Sequence, residues 1–232
     1  MYELLGKEWY DDKFQKLINS DYGRWLEKFL VHEWAKKTII PSKEDTNLFR
    51  CFRETPYSKV SVVIIGESPY PTYVVEPEVP TYDGLAFSNG NSFKISPSLR
   101  NIFKELERSY QLPQSMQDWD LTRWAKQGVF LINAAQTVIK GNPANKVAEY
   151  QKVWNGFMRY TISVLNTKND IVWMLWGNKA QKFEEYIKNT THAIIKDGHP
   201  SPLNTTNPFI GSGTFLKANE ELKARNKQEI QW

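Results

Sequence analysis

The chain has 232 residues, one cysteine and a formal net charge of +4. That length suffices for one large domain with its own core, and the lone Cys51 excludes an internal disulfide and a cysteine-based zinc site. No apolar run approaches the roughly 20 residues of a membrane helix, so no membrane partner is expected, and a cytosolic compartment fits, or the nucleus if the source is eukaryotic. The first residues are mixed and acidic, unlike a signal peptide. The mildly basic balance permits nucleic-acid binding without arguing for it. Nine Trp, eleven Tyr and twelve Phe exceed what charge alone would draw attention to; most belong in a core, and a few are free to stack on a planar ligand.

In chain order, residues 9–37 place Phe14, Leu17, Ile18, Trp25, Leu26, Phe29 and Leu30 at helical spacing. A Pro- and charge-containing connection over 39–47 and a short helix over 48–57 follow. Residues 60–65 are an apolar, β-branched run that reads as a strand buried on both faces. It stops at Gly66, and Glu67, Ser68, Pro69, Tyr70 and Pro71 come next. Residues 71–83, with Pro71, Pro80, Glu76 and Glu78, show no helical period and are expected to run over the surface. Ser96 as N-cap and Pro97 in the first turn start a helix with Leu99, Ile102, Phe103 and Leu106 as its buried stripe. A helix over 120–127 ends at Gly128. Then come a strand over 129–133, a helix over 145–166, a strand over 171–176 closed by Gly177-Asn178, a helix over 179–189, a strand over 192–196 closed by Asp197-Gly198-His199, and a helix over 217–227.

This alternation predicts an α/β fold: a three-layer α/β/α domain around a central four-stranded, mainly parallel sheet with right-handed crossovers. One domain is expected over 1–232, with a helical part over 1–57 and a motif-bearing core over 58–232. Strands running the same way bring their carboxyl ends to one edge. Residues 66–70, Asn133, 177–178 and 198–203 should therefore line one crevice.

Gly198-His199-Pro200-Ser201-Pro202-Leu203 is the most specific stretch. Two prolines stiffen a loop that offers a histidine to a developing oxyanion, a serine to a phosphate and a leucine to a gap between bases. A Pro-rich turn with a solvated histidine explains the same residues. Asn133 ends a buried strand and suits bidentate reading of an amide-like edge, as it also suits a simple strand-end turn. Phe87 suits stacking under a ring or a place in the core. Ser98, Asn178 and Ser212 lie at or near helix starts, positions that suit phosphates and ordinary capping alike. There is no P-loop, dinucleotide fingerprint, metal-ligand cluster or nucleophile elbow. Metal-free, nucleotide-independent chemistry remains.

Taken together, these segments resemble the uracil-DNA glycosylases, closest to the classical uracil-specific group. GHPSPL at 198–203 looks like that family's DNA-intercalating loop, with Phe209, Gly211, Phe215 and Asn219 following at its spacing. GLAFS at 84–88 is similar to the segment with the ring-stacking Phe, PSLRNI at 97–102 to the proline-rich phosphate loop, and LINA at 131–134 to the uracil-reading Asn segment. LWGNKAQK at 175–182 resembles the Gly-Ser loop, with Asn178 where Ser is usual, and the final IQW matches the family's ending.

The resemblance implies an enzyme that grips DNA at phosphates through Ser98, Asn178, Ser201 and Ser212. Leu203 would fill the gap left by a flipped nucleotide. Phe87 would stack on the base, Asn133 would read it, Tyr70 would block a 5-substituent, and His199 would stabilise charge on the base oxygen. No metal or cofactor is implied, and a monomer is expected.

The departure lies at 66–71. The family pattern is Gly-Gln-Asp-Pro-Tyr-His, and this chain has Gly66-Glu67-Ser68-Pro69-Tyr70-Pro71. Ser68 stands in place of the Asp that stabilises the cationic sugar and orients water, and a hydroxyl carries no charge to do so. Glu67 and Asp83 are the carboxylates nearest in sequence, either of which is a candidate to replace it. The loop between Tyr70 and Phe87 is also longer than the family's. Three readings follow: a glycosylase acting on uracil, one acting on another or modified base, and a DNA-binding relative without the chemistry.

Overall fold

The computed structural model describes residues 1–43, 46–74, 79–92, 94–111, 118–141 and 146–232. The helical pattern of 9–37 is divided among α1 (Lys7–Asp12), α2 (Gln15–Ile18) and α3 (Asp21–Ala35). The break has a local cause. Ser20 caps α3 by accepting from the Gly23 amide at 3.0 Å, and a side chain on Gly23 would run into the Leu17 carbonyl. The short β1 (Ile39–Ile40) precedes α4 (Arg50–Glu54) and β2 (Val62–Gly66).

The stretch expected to wander over the surface instead contains a small hairpin. In it β3 (Tyr73–Val74) pairs antiparallel with β4 (Val79–Pro80), while its tip, with Glu76 and Glu78, lies outside the described residues. The end of the stretch is buried: Tyr82 and Asp83 are each 1% exposed. Next come α5 (Pro97–Tyr110), α6 (Thr122–Lys126), β5 (Val129–Asn133) and β6 (Val138–Ile139). The following helix, α7, is Val147–Leu165; the expected start at Asn145 lies outside the described residues.

After β7 (Val172–Trp176) the chain turns at once into α8 (Gly177–Gln181), which tightens to a 3-10 turn over Lys182–Tyr186. The single helix expected over 179–189 is thus earlier and shorter. Gln181 fixes this corner by donating to the carbonyls of Leu175 and Asp197. Finally β8 (Ala193–Asp197) leads to α9 (Thr214–Ala224). This helix starts three residues before the expected 217, because Gly213 in a left-handed conformation (φ 68°) provides its N-cap.

The central sheet has four strands, all parallel, in the order β5-β2-β7-β8. The three-layer α/β reading holds, with β1 and β6 adding a small antiparallel pair outside the sheet. Register sets which side chains share a face. Val62 pairs with Val129 and Val172, so strand alternation sends Phe130 to one face and Trp176 to the other. On the first face Phe130 meets Trp9 and Phe52, and Phe52 meets Phe157 of α7. On the second, Trp176 meets Phe215 of α9, which packs on Trp124 and Trp232. Counted on from Ile64↔Met174, the register puts Asn133, Gly66, Trp176 and Asp197 in one row at the carboxyl edge. That row floors the crevice.

Candidate active site

Asn133 is 3% exposed, and its carboxamide makes no hydrogen bond to another described residue. It fits only because its neighbour in the row is glycine: a Cβ on Gly66 would run into the Asn133 amide oxygen and lie 2.9 Å from Ala86 Cβ. The Asn133 carbonyl is held from behind by the Gln136 side chain. Neither polar atom of this amide is sealed off without a partner, so its donor and acceptor remain open to a ligand.

Phe87 lies over the same floor, with its ring 5.5 Å from Trp176 and 6.1 Å from His199. Its backbone has φ 67°, a conformation that non-glycine residues adopt at a cost. Asp83 and Tyr70 hold it there. Asp83 accepts from Leu85 N at 3.1 Å, Ser88 Oγ at 2.5 Å and Gly90 N at 2.8 Å, and Arg50 lies 3.6 Å from its Oδ2. The Tyr70 hydroxyl donates to the Phe87 carbonyl at 3.2 Å and pairs with Ser96 Oγ at 2.7 Å. Ser96 meanwhile caps α5, accepting from Leu99 N. Burial pushes the Tyr70 phenol up to about 12, so it stays a neutral donor.

Asp83, expected as a stand-in for the missing catalytic Asp, is thereby corrected to a brace. Both its oxygens are spent inside the 83–90 turn and on Arg50, and none of its charge is presented to a crevice.

His199 follows β8. Its Nδ1 accepts from the Ser201 amide at 3.0 Å. A nitrogen that accepts carries no proton, so neutral His199 has its proton on Nε2, as a donor. Burial lowers its pKa, Glu67 opposes that and Lys179 adds to it; the net shift is downward and favours the neutral form. Close packing sets its position: a Cβ on Gly177 (φ 81°) would lie 2.7 Å from His199 Cβ.

The loop beyond is cross-tied. Asn101 of α5 donates to the Pro200 carbonyl at 2.8 Å, Asn204 donates to the His199 and Asn207 carbonyls at 3.0 and 2.6 Å, and Leu203 N donates to Ser201 Oγ. Leu203 projects from this rigid loop at 90% exposure.

The remaining expected contacts lie around the same edge. Ser98 is half-buried in the first turn of α5, and Asn178 is exposed in the first turn of α8. Ser212 sits between Gly211 (φ 96°) and Gly213 (φ 68°). Ser68 is half-buried and makes no side-chain hydrogen bond to another described residue. Glu67, the other candidate to replace the missing Asp and a candidate base-binding residue, has its carboxylate on Lys179 at the mouth of the crevice.

Two residues of the site have no role assigned by sequence alone, although Trp176 lies inside the 175–182 segment. Trp176 touches Phe87, Phe209 and Phe215 while its indole N–H donates to Thr214 Oγ1. Glu105 is fully buried and accepts from Gly211 N at 2.5 Å and Gly213 N at 2.8 Å, fixing the turn that carries Ser212. Burial alone would raise its carboxyl; Arg108, the two amides and Ser109 outweigh that and hold it below its ordinary value. Only its place inside the apolar stripe of α5 hinted at it. Among the described residues no group of three or more His, Cys, Asp or Glu side chains is arranged to hold a metal.

The chain is similar to known proteins over most of its length. The family model described as the uracil DNA glycosylase superfamily matches residues 52–223. The uracil-DNA glycosylase of Clostridium beijerinckii is 39% identical over 237 residues, covering 100% of this chain and 98% of its own. That of Borreliella burgdorferi is 40% identical over 217 residues, covering 92% of each. Among solved structures, mimivirus uracil-DNA glycosylase superposes with a TM-score of 0.88 at 28% identity, covering 100% of this chain and 89% of that one.

Proposed function

Because the chain belongs to the uracil-DNA glycosylase superfamily, we propose that it flips uracil out of DNA and hydrolyses the N-glycosidic bond, with the roles below. The buried Asn133 carboxamide carries this reading. No hydrogen bond among the described residues uses its donor and acceptor, and Phe87 packs on Trp176 of the same floor row and lies 6.1 Å from His199. In this reading Asn133 pairs with the amide edge of the base while Phe87 stacks on its face. His199 Nε2–H donates to the base oxygen that gains charge as the bond breaks, a donor worth about 10²–10³ in rate. Tyr70, pinned against the Phe87 carbonyl, walls the pocket at the 5-position. Ser98, Asn178, Ser201 and Ser212 hold phosphates, and Leu203 enters the duplex where the nucleotide leaves. The protein acts as a monomer on single- or double-stranded DNA, without a metal or cofactor.

Ser68 favours a second reading, a relative that binds DNA without cutting it. An assay of base release over a panel of uracil-, thymine- and modified-base DNAs separates the two. Release of free uracil, leaving an alkali-labile abasic site, is expected. Release of another base alone moves the specificity. Tight binding with every substrate left intact at stoichiometric enzyme selects the second reading.

A further inference from the structure

The glycosylase reading leaves one requirement unmet. The sugar turns cationic as the bond breaks, and the attacking water must lose a proton, yet Ser68 offers no charge. Three carboxylates stand near the carboxyl edge. Asp83 is buried and fully engaged within its own turn. Asp197 lies in the floor row but is only 7% exposed, with Oδ1 on Lys217 of α9 at 3.1 Å and Oδ2 buried without a partner, so it is shut away from the mouth. Glu67 differs from both. It follows directly on Gly66 in the floor row, and its backbone is fixed because its carbonyl accepts from Ala135 N at 3.1 Å. Its side chain is a third exposed and has a single partner, the ammonium of Lys179, itself 63% exposed. The charges of both reach His199.

We propose that Glu67 is the catalytic carboxylate of this enzyme, held by Lys179 in the free protein and released to the sugar when a DNA phosphate takes Lys179 as its partner. The inference rests on the glycosylase reading. An exposed ion pair contributes little stability and exchanges readily, and a polyanion arriving at the mouth competes directly for the ammonium. Once free, the carboxylate stabilises the cationic C1′. The C1′–N1 bond breaks, its electron pair goes to the base, and the resulting anion is held at its oxygen by His199 Nε2–H. Water forms the new bond at C1′ and gives its proton to Glu67, which passes it to solvent or to the departing base. No other reactant is needed. The ion pair also keeps an unpaired carboxylate from repelling DNA during approach, as a like charge at the mouth would.

The test is single-turnover release of uracil from a uracil-containing duplex by wild type, Glu67→Gln, Ser68→Asp, the double variant and His199→Ala. Glu67→Gln is expected to lose about 10²–10³ in rate, and Ser68→Asp to restore at least tenfold of it in the double variant. A carboxylate supplied one residue away can replace a chemical function but not a structural one. Lys179→Gln is expected to lower the slope of log affinity for DNA against log salt by about one. The proposal is overturned if Glu67→Gln stays within twofold of wild type while His199→Ala loses activity, which leaves the glycosylase reading standing. It is equally overturned if the loss in Glu67→Gln is not restored by Ser68→Asp, or if Lys179→Gln leaves the salt slope unchanged. Wild type that releases no uracil overturns the glycosylase reading, and this one with it.

Discussion

The two segments that leave the sheet at Gly66 and at Gly198 are built in opposite ways. The 198–204 loop is over-determined: two asparagines tie down the Pro200 and His199 carbonyls, the Ser201 amide fixes the histidine tautomer, and Gly177 lets the ring seat closely. The 67–68 segment is open: Ser68 has no side-chain partner among the described residues and Glu67 has one, across an exposed ion pair. The leaving group has to be met by one donor in one place, so its loop tolerates little change. In the proposed reading, water and a cationic sugar can be served from more than one position, so a segment with few ties suits that role.

The largest expected effect comes from removing the rigid side's working group. His199→Ala should slow uracil release by about 10²–10³ while DNA binding is retained, measured by single-turnover kinetics beside a binding titration. A smaller loss would shift weight from the rigid loop to the open one. Glu105→Ala strips the acceptor from the Gly211 and Gly213 amides and should cost about 3 kcal/mol in chemical denaturation. It should also weaken DNA binding through Ser212, although Glu105 lies at neither segment. Leu203→Ala should leave stability within about 0.5 kcal/mol, because the side chain is exposed. Turnover on duplex DNA should fall about tenfold and on single strands hardly at all, since only a duplex has a gap to fill.

The smallest effect is in pH. Burial holds both His199 and His192 below the ordinary value of 6.5. The unfolded chain therefore binds more protons once pH drops below that value, and stability falls on acidification through that range. The urea midpoint should be lower at pH 5.5 than at pH 7.5, with a shallower difference in His199→Ala. A midpoint that rises on acidification would contradict the buried, neutral imidazole.

What could be read from the residues, and what could not, follows the same division. The sheet was legible because three of its strands are continuous apolar runs ended by Gly or Asn, and the fourth, with Lys196 exposed, ends at Asp197. Their shared direction was enough to bring Asn133 and His199 to one edge, whereas Phe87, in a turn outside the sheet, was placed there only by the family resemblance. The breaks within 9–37 were not legible, because α2 and α3 keep the apolar period across a turn set by Ser20 and Gly23. Asp83 looked like a free carboxylate because sequence shows proximity and not direction; its partners at Leu85, Ser88 and Gly90 are local but unmarked by any motif. Glu105 was hidden for a related reason, since its amide partners lie more than a hundred residues away. The pairing of Glu67 with Lys179 joins two adjacent strand ends and depended on the order of β2 and β7.

The central claim is that an unpartnered amide on the sheet floor selects uracil for excision. Single-turnover release of uracil from a uracil-containing duplex by wild type and Asn133→Ala tests it most directly. The account predicts that wild type converts every uracil to an abasic site, and that Asn133→Ala is slower by at least about a hundredfold with DNA affinity retained. Equal rates in the two proteins, or no uracil release by wild type at stoichiometric concentration, would contradict it.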